Sequence, residues 1–165
     1  MTIRLGTDIV YIPRIHALIN RFGKRFLQRV YTSIEQQNCG CWHTPEGLNS
    51  TECEMTRMAI AKFAGRWAAK EAVVKALGTG WQGINYTDVE ICRSATGAPF
   101  VVLHNNAAKI VATWENDQET QRSGNTEDFS LSFPPSPLSP SSCEWQLSLS
   151  HDRDYAIATA IFVSR

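Results

Sequence analysis

An α+β domain, a mostly antiparallel sheet packed against one long central helix, is what this sequence predicts. Three observations carry the prediction. Residues 54–77 place Ala59, Phe63, Trp67, Val74 and Leu77 on one stripe at helical spacing. Short alternating or continuous apolar segments lie near both ends of the chain and after that helix, and two pairs of them are separated only by tight turns, the signature of antiparallel pairing. A chain of 165 residues with 43% hydrophobic content can bury roughly 70% of the surface its unfolded form exposes, so one domain needs neither disulfides nor a structural metal.

The elements follow in order. Ile3, Leu5 and Ile9 take odd positions while Arg4, Gly6 and Asp8 take even ones, so the first segment reads as a strand with one polar face; Asp8 is then expected to project away from the core. Pro13 opens a helix whose apolar residues Ile15, Leu18, Ile19 and Phe22 recur until Gly23. Phe26, Leu27 and Val30 continue in a second helical piece, and Thr32 with Glu35 forms a capping-box signature for a third. From Gln36 to Thr51 the breakers Gly40, Pro45 and Gly47 predict a loop. After the central helix, Gly78-Thr79-Gly80 supplies the left-handed residues that end it.

Val89-Glu90-Ile91 and Phe100-Val101-Val102-Leu103 flank the turn around Gly97 and Pro99 as a strand pair. A short helix is expected at 106–114. The strands at 145–150 and 155–163 are separated by His151-Asp152-Arg153-Asp154. Between that helix and those strands, residues 115–143 are polar and then Ser/Pro-rich, ending in Pro134, Pro135, Pro137 and Pro140. Such a composition cannot offset its ordering entropy by apolar burial. The segment therefore reads as a flexible insertion within a single domain spanning 1–165, since the piece after it is too short to fold alone.

Sixteen basic and 16 acidic side chains leave no net charge, which removes a global electrostatic argument for nucleic acid or membrane surfaces. The N-terminus lacks the apolar stretch and cleavage site of a secretory leader, so a cytoplasmic protein is expected. Of Cys39, Cys41, Cys53, Cys92 and Cys143 only the first two are close in sequence, with His43 beyond them; this fits no paired zinc half-sites, and reduced thiols are the reading.

Chemistry concentrates in the segment from Gly65 to Gly80. Glu71 and Lys75 lie four apart on one flank, a spacing that on its own favours a surface ion pair, with a carboxylate that holds a cation beside a lysine that meets phosphate as the functional alternative. Arg66 lies about 140° around the helix from Glu71 at roughly 100° per residue, so it serves the same site only from a neighbouring subunit or else is a solvated flank residue. Trp67 and Trp81 raise base stacking, but Trp67 falls on the apolar stripe and reads as core. His151 is a turn histidine or a phosphate contact. Arg14, Arg21, Lys24 and Arg25 among Ile15, Leu18, Phe22 and Phe26 make the first helices locally basic, which suits either solvation or an acidic partner.

Three separated stretches, Gly6-Thr7-Asp8-Ile9-Val10, Arg66 to Gly80, and Ser148-Leu149-Ser150-His151, together resemble the AcpS-type 4'-phosphopantetheinyl transferases, the holo-[acyl-carrier-protein] synthases. Pro13-Arg14-Ile15, Arg25-Phe26, Thr32 with Glu35, and Gly97 with Pro99 agree as well. The resemblance covers most of 1–114 and 145–163, and the 115–143 stretch and the cysteine-containing loop depart from it.

The resemblance implies the 4'-phosphopantetheinyl transferase fold and transfer of 4'-phosphopantetheine from coenzyme A to a serine of acyl carrier protein, releasing adenosine 3',5'-bisphosphate, in fatty acid biosynthesis. It implies that Asp8 and Glu71 hold Mg2+, and that Lys75 meets phosphate with Gly78, Thr79 and Gly80 shaping the loop beside it. Catalysis would then involve Asp8, Glu71, Lys75 and His151, with Arg66 and His151 at the coenzyme A site of a homotrimer whose sites lie between subunits. Arg14, Arg21 and Arg25 would meet acyl carrier protein. A transferase of broader carrier-protein specificity, or a non-catalytic coenzyme A or carrier-protein binding module, are the competing readings; a mere binding module has no need of the cation site.

Overall fold

The computed structural model describes residues 1–40, 55–123 and 143–164, with side chains described for 1–40, 55–114 and 143–164. Three antiparallel strands form the main sheet: β1 (Thr2–Tyr11), then β5 (Tyr155–Ser164) in the middle, then β4 (Cys143–Asp152). The register pairs Thr2 with Ser164 and Tyr11 with Tyr155, so the two ends of the chain share one ladder. A second, two-stranded sheet is the hairpin of β2 (Val89–Arg93) and β3 (Pro99–Leu103).

Five α-helices are seen among the described residues: α1 (Ile12–Phe22), α2 (Lys24–Val30), α3 (Ser33–Cys39), α4 (Arg57–Leu77) and α5 (Asn105–Ser123). Thr56 caps α4, its hydroxyl accepting from the Ala59 amide at 3.2 Å, and Gly78 closes it in the left-handed conformation at φ 74°. The α+β architecture, the antiparallel pairing and the long central helix match the reading of the sequence.

Helix α4 lies across the inner face of the main sheet, with Phe63, Ala64, Ala68, Ala69, Ala72 and Val73 wholly buried. Far more of it is buried than one apolar stripe would cover, because α1, α3 and β2 close around its other sides. Its alanines present little bulk, and the sheet answers with Gly6. A Cβ on Gly6 would stand 1.9 Å from the Ala72 carbonyl oxygen, so only glycine allows β1 to lie this close to the helix.

That approach reverses the expected orientation of β1. Gly6, Asp8 and Val10 face α4, while Ile3, Leu5 and Ile9 are about 60% exposed (60%, 60% and 63%) on the outer face. Alternation fixes which residues share a face; the small residue, not the apolar set, decides which face meets the helix. On the outer face Ile3 pairs with Val163, Leu5 with Ile161 and Ile9 with Ile157, an apolar ladder interrupted by the pair of Thr7 and Thr159.

Other boundaries also moved. Helix α3 runs to Cys39 where a loop was expected from Gln36, and Gly40 ends it at φ 89°. Helix α5 continues nine residues past Trp114, because no glycine or proline interrupts 105–123 and Gly124 is the first breaker; residues 115–123 are therefore helical and not part of a flexible insertion. Strand β4 begins at Cys143. Residues 124–142 and Cys41, His43 and Cys53 lie outside the described residues; among the described residues, Cys39, Cys92 and Cys143 are not joined to one another by a disulfide.

A buried polar layer fastens α3 and the segment before β2 to α4. Lys70, fully buried, pairs with the equally buried Glu35 at 2.8 Å and donates to the Tyr86 carbonyl at 2.9 Å and to the Val89 carbonyl. Glu35 accepts from the Thr32 amide at 2.8 Å, completing the capping box, and from the Ile91 amide at 3.1 Å. Burial pushes the Lys70 ammonium below its ordinary pKa, with Glu35 opposing that shift.

Candidate active site

The site forms where β1 crosses the C-terminal half of α4. The Lys75 ammonium donates to the Thr7 carbonyl at 2.9 Å and to Asp8 Oδ1 at 2.8 Å. Glu71, one turn before Lys75 on the same flank, accepts a hydrogen bond from Trp81 Nε1 at 3.1 Å. Asp8, remote in sequence from Glu71 and Lys75, is thus brought against Lys75 at the crossing. The Glu71–Lys75 ion pair that spacing alone suggested is absent, because each side chain has a better-placed partner from outside the helix.

The turn after α4 shapes the rest. Gly78 and Gly80 take positive φ, 74° and 57°, which reverses the chain so that Trp81 returns alongside the helix it has just left. Thr79 donates its hydroxyl to the Gly80 carbonyl at 3.1 Å. Trp81 stacks on Tyr86 at 3.9 Å between centroids, Tyr86 packs on Trp67 at 5.2 Å, and Trp67 stacks on Phe26 at 5.7 Å. Trp67, on the apolar stripe, is partly buried and packs against the core. Burial, then the Glu71 carboxylate, raises the Tyr86 phenol above its ordinary pKa, while Arg14 and Arg29 oppose the shift. The basic face of α1 and α2 therefore adjoins this aromatic end of the site.

The donor set suits a hard cation of the magnesium type. Magnesium takes one or two protein carboxylates and completes its shell with water and substrate phosphates. Among the described residues, no group of three or more His, Cys, Asp and Glu converges, so an all-protein cage of the zinc or calcium kind is not formed there. Asp8 Oδ1 and the Thr7 carbonyl already converge on one positive charge, the Lys75 ammonium, which demonstrates the electrostatic character of the crossing.

Other sequence-predicted residues lie elsewhere. His151, exposed near the end of β4, shares the inner face with Asp8 but lies two strands away and one row along, roughly 12 Å between Cα atoms by strand geometry. Arg66 is buried, not a solvated flank residue: its guanidinium donates to the Lys62 carbonyl at 3.3 Å and its Nε has no hydrogen-bond partner among the described residues. The α3 and β2 side of α4 closes over it, away from Glu71. Arg14, Arg21 and Arg25 are exposed on α1 and α2, with Arg21 over the Phe22 ring at 5.0 Å. The sequence reading missed the contact of Trp81 with Glu71, and Lys70 with Glu35; both partners become visible only once the chain folds back, although the two glycines before Trp81 do signal the reversal.

Comparison with known proteins fits this geometry. The family model of the 4'-phosphopantetheinyl transferase superfamily matches residues 4–160. A holo-[acyl-carrier-protein] synthase of Gloeobacter violaceus is 42% identical over 94% of this chain and 89% of its own. The crystal structure of holo-[acyl-carrier-protein] synthase from Neisseria meningitidis superposes with a TM-score of 0.62 at 25% identity, covering 96% of both chains. An ACPS-CoA complex from Chronobacterium ammoniagenes, at 24% identity and a TM-score of 0.65 over 100% of this chain and 99% of that one, shares the fold. The chain belongs to the 4'-phosphopantetheinyl transferase superfamily, in its AcpS-type holo-[acyl-carrier-protein] synthase family, and is an enzyme of that class.

Proposed function

We propose that this chain transfers 4'-phosphopantetheine from coenzyme A to a serine of acyl carrier protein and releases adenosine 3',5'-bisphosphate, in support of fatty acid biosynthesis in the cytoplasm. The observation that carries the reading is the crossing of β1 and α4, where Asp8 meets Lys75 one turn from Glu71 within a chain of this family. The serine oxygen forms a bond to the pantetheine-side phosphorus as the bond from that phosphorus to the departing nucleotide oxygen breaks. Asp8 and Glu71 would hold Mg2+, which when bound neutralises charge on the pyrophosphate and the leaving group. Lys75 is half exposed, at 51% for its side chain, and can swing from Asp8 to a phosphate oxygen. Glu71 or a solvent molecule beside it accepts the serine proton.

The exposed apolar side chains of Ile3, Leu5, Ile9 and Ile157 on the outer face support assembly as a homotrimer, since a large exposed apolar patch marks an interface. In that assembly His151 would serve a site on a neighbouring subunit, whereas buried Arg66 stays within its own chain. Arg14, Arg21 and Arg25 form the basic surface that receives the acidic carrier protein beside Tyr86 and Glu71. The whole of 1–165 acts as one domain, with residues 124–142 a passive insertion in it.

Mass spectrometry of apo acyl carrier protein incubated with coenzyme A, Mg2+ and the full chain tests the reading. A gain of one phosphopantetheine on the carrier serine is expected; an unmodified carrier at saturating coenzyme A would overturn it.

A further inference from the structure

Trp81 has no role in the chemistry described so far, yet it holds the Glu71 carboxylate. Its indole N–H donates to Oε1 at 3.1 Å. Indole is a donor only, so this contact cannot reverse, and the Tyr86 phenol lies against the same carboxylate. The ring is itself held: it stacks on Tyr86 at 3.9 Å, and the Tyr86 carbonyl accepts from buried Lys70 at 2.9 Å. Tyr86 in turn packs on Trp67 of α4 at 5.2 Å. From α4 outward, the chain Lys70, Tyr86, Trp81 and back to Glu71 closes a loop of fixed contacts on the same helix.

We infer that Trp81 is a positioning residue that fixes the Glu71 carboxylate, directing one oxygen to the indole and presenting the other toward the cation shared with Asp8. The inference rests on the proposed Mg2+-dependent transfer. A flexible Glu side chain otherwise samples several rotamers, and ordering it on cation binding weakens that binding. Partners that orient a ligating group typically change metal affinity by about 10- to 100-fold when removed.

Trp81→Phe keeps the aromatic stack and deletes the donor. In the full chain without coenzyme A, Mn2+ binding followed by electron paramagnetic resonance should weaken about tenfold or more in this variant. Turnover at saturating substrates should fall while the KM for acyl carrier protein stays at the wild-type value, a split that a general loss of structure would not produce. Mn2+ affinity within twofold of wild type, in a variant with wild-type circular dichroism, would overturn the inference and leave the proposed function standing. Wild-type protein that neither binds Mn2+ nor modifies the carrier would overturn both.

Should Trp81→Phe fail to fold, the unsubstituted protein still decides the matter. Of its five tryptophan indole N–H resonances, one should be protected from solvent exchange and should move on Glu71→Gln; five resonances that all ignore that substitution would overturn the inference.

Discussion

Gly6→Ala is the most direct probe of how β1 and α4 meet. The added Cβ would stand 1.9 Å from the Ala72 carbonyl oxygen, 2.7 Å from the Ala76 nitrogen and 2.9 Å from the Ala72 carbonyl carbon. All three are backbone atoms of a helix buried on most sides, so no side chain can rotate aside. Reaching even a tight 3.0 Å requires the strand to retreat from the helix by about 1.1 Å. Gaps of 0.5–1 Å already forfeit about a quarter to a half of each dispersion contact, and the loss is shared by Val10 and by the β5 alanines moving with the strand. Overpacking typically costs about 1–3 kcal/mol, and here the rigid neighbour sets the cost at about 3 kcal/mol or more, over a hundredfold in the folded population.

Asp8, two residues along the same face, would move with the strand, and its 2.8 Å contact with Lys75 would open. Guanidinium unfolding followed by circular dichroism measures the first effect, and Mn2+ binding the second. Gly65→Ala is the matched control. Its Cβ meets nothing within 4 Å and it lies inside α4, so this substitution should stabilise by about 0.5–1 kcal/mol. A Gly6→Ala protein whose midpoint equals or exceeds that of wild type would refute the reasoning.

Asp8→Asn and Glu71→Gln should each lower transfer by about a hundredfold or more and weaken Mn2+ binding, with circular dichroism unchanged; near-normal turnover in either would remove the residue from the site. Arg14→Glu should raise the KM for acyl carrier protein, most steeply at low salt, and leave coenzyme A affinity unchanged, as steady-state kinetics at two ionic strengths can check. Leu5→Glu, on the exposed outer face, should shift sedimentation from the proposed trimer to monomer without unfolding the chain. Burial raises the Tyr31 phenol well above its ordinary value of 10.0. A raised acid pKa contributes stability below the unfolded value that is lost as pH rises toward the folded one, so stability should decline above about pH 10, and Tyr31→Phe should flatten that decline. Denaturation midpoints from pH 8 to 11 read this directly, and identical slopes for the two proteins would contradict it.

Much of this protein was legible in the sequence because its signals are local. Helix α4 announces itself by residues three and four apart and by a closing glycine; the hairpin of β2 and β3 by its turn; α3 by Thr32 and Glu35, whose capping box formed as read. Asp8, Glu71 and Lys75 stood out through the motifs around them, and the fold then brought Asp8 against Lys75, one turn from Glu71.

What the sequence left open were choices between partners far apart in the chain. Alternation in β1 specified two faces but not which one meets α4, and the answer lay in Gly6 against Ala72, a steric fact of the assembled layers. Lys75 chose Asp8, 67 residues away, over Glu71 on its own helix, and Glu71 chose Trp81. Lys70, to which the sequence reading gave no role, is fully buried, its charge met by Glu35 and two carbonyls. Local periodicity is fixed by backbone geometry within a few residues, whereas the pairing of charges and the facing of surfaces are decided by which atoms can approach once the layers close, and only the tertiary structure contains that information.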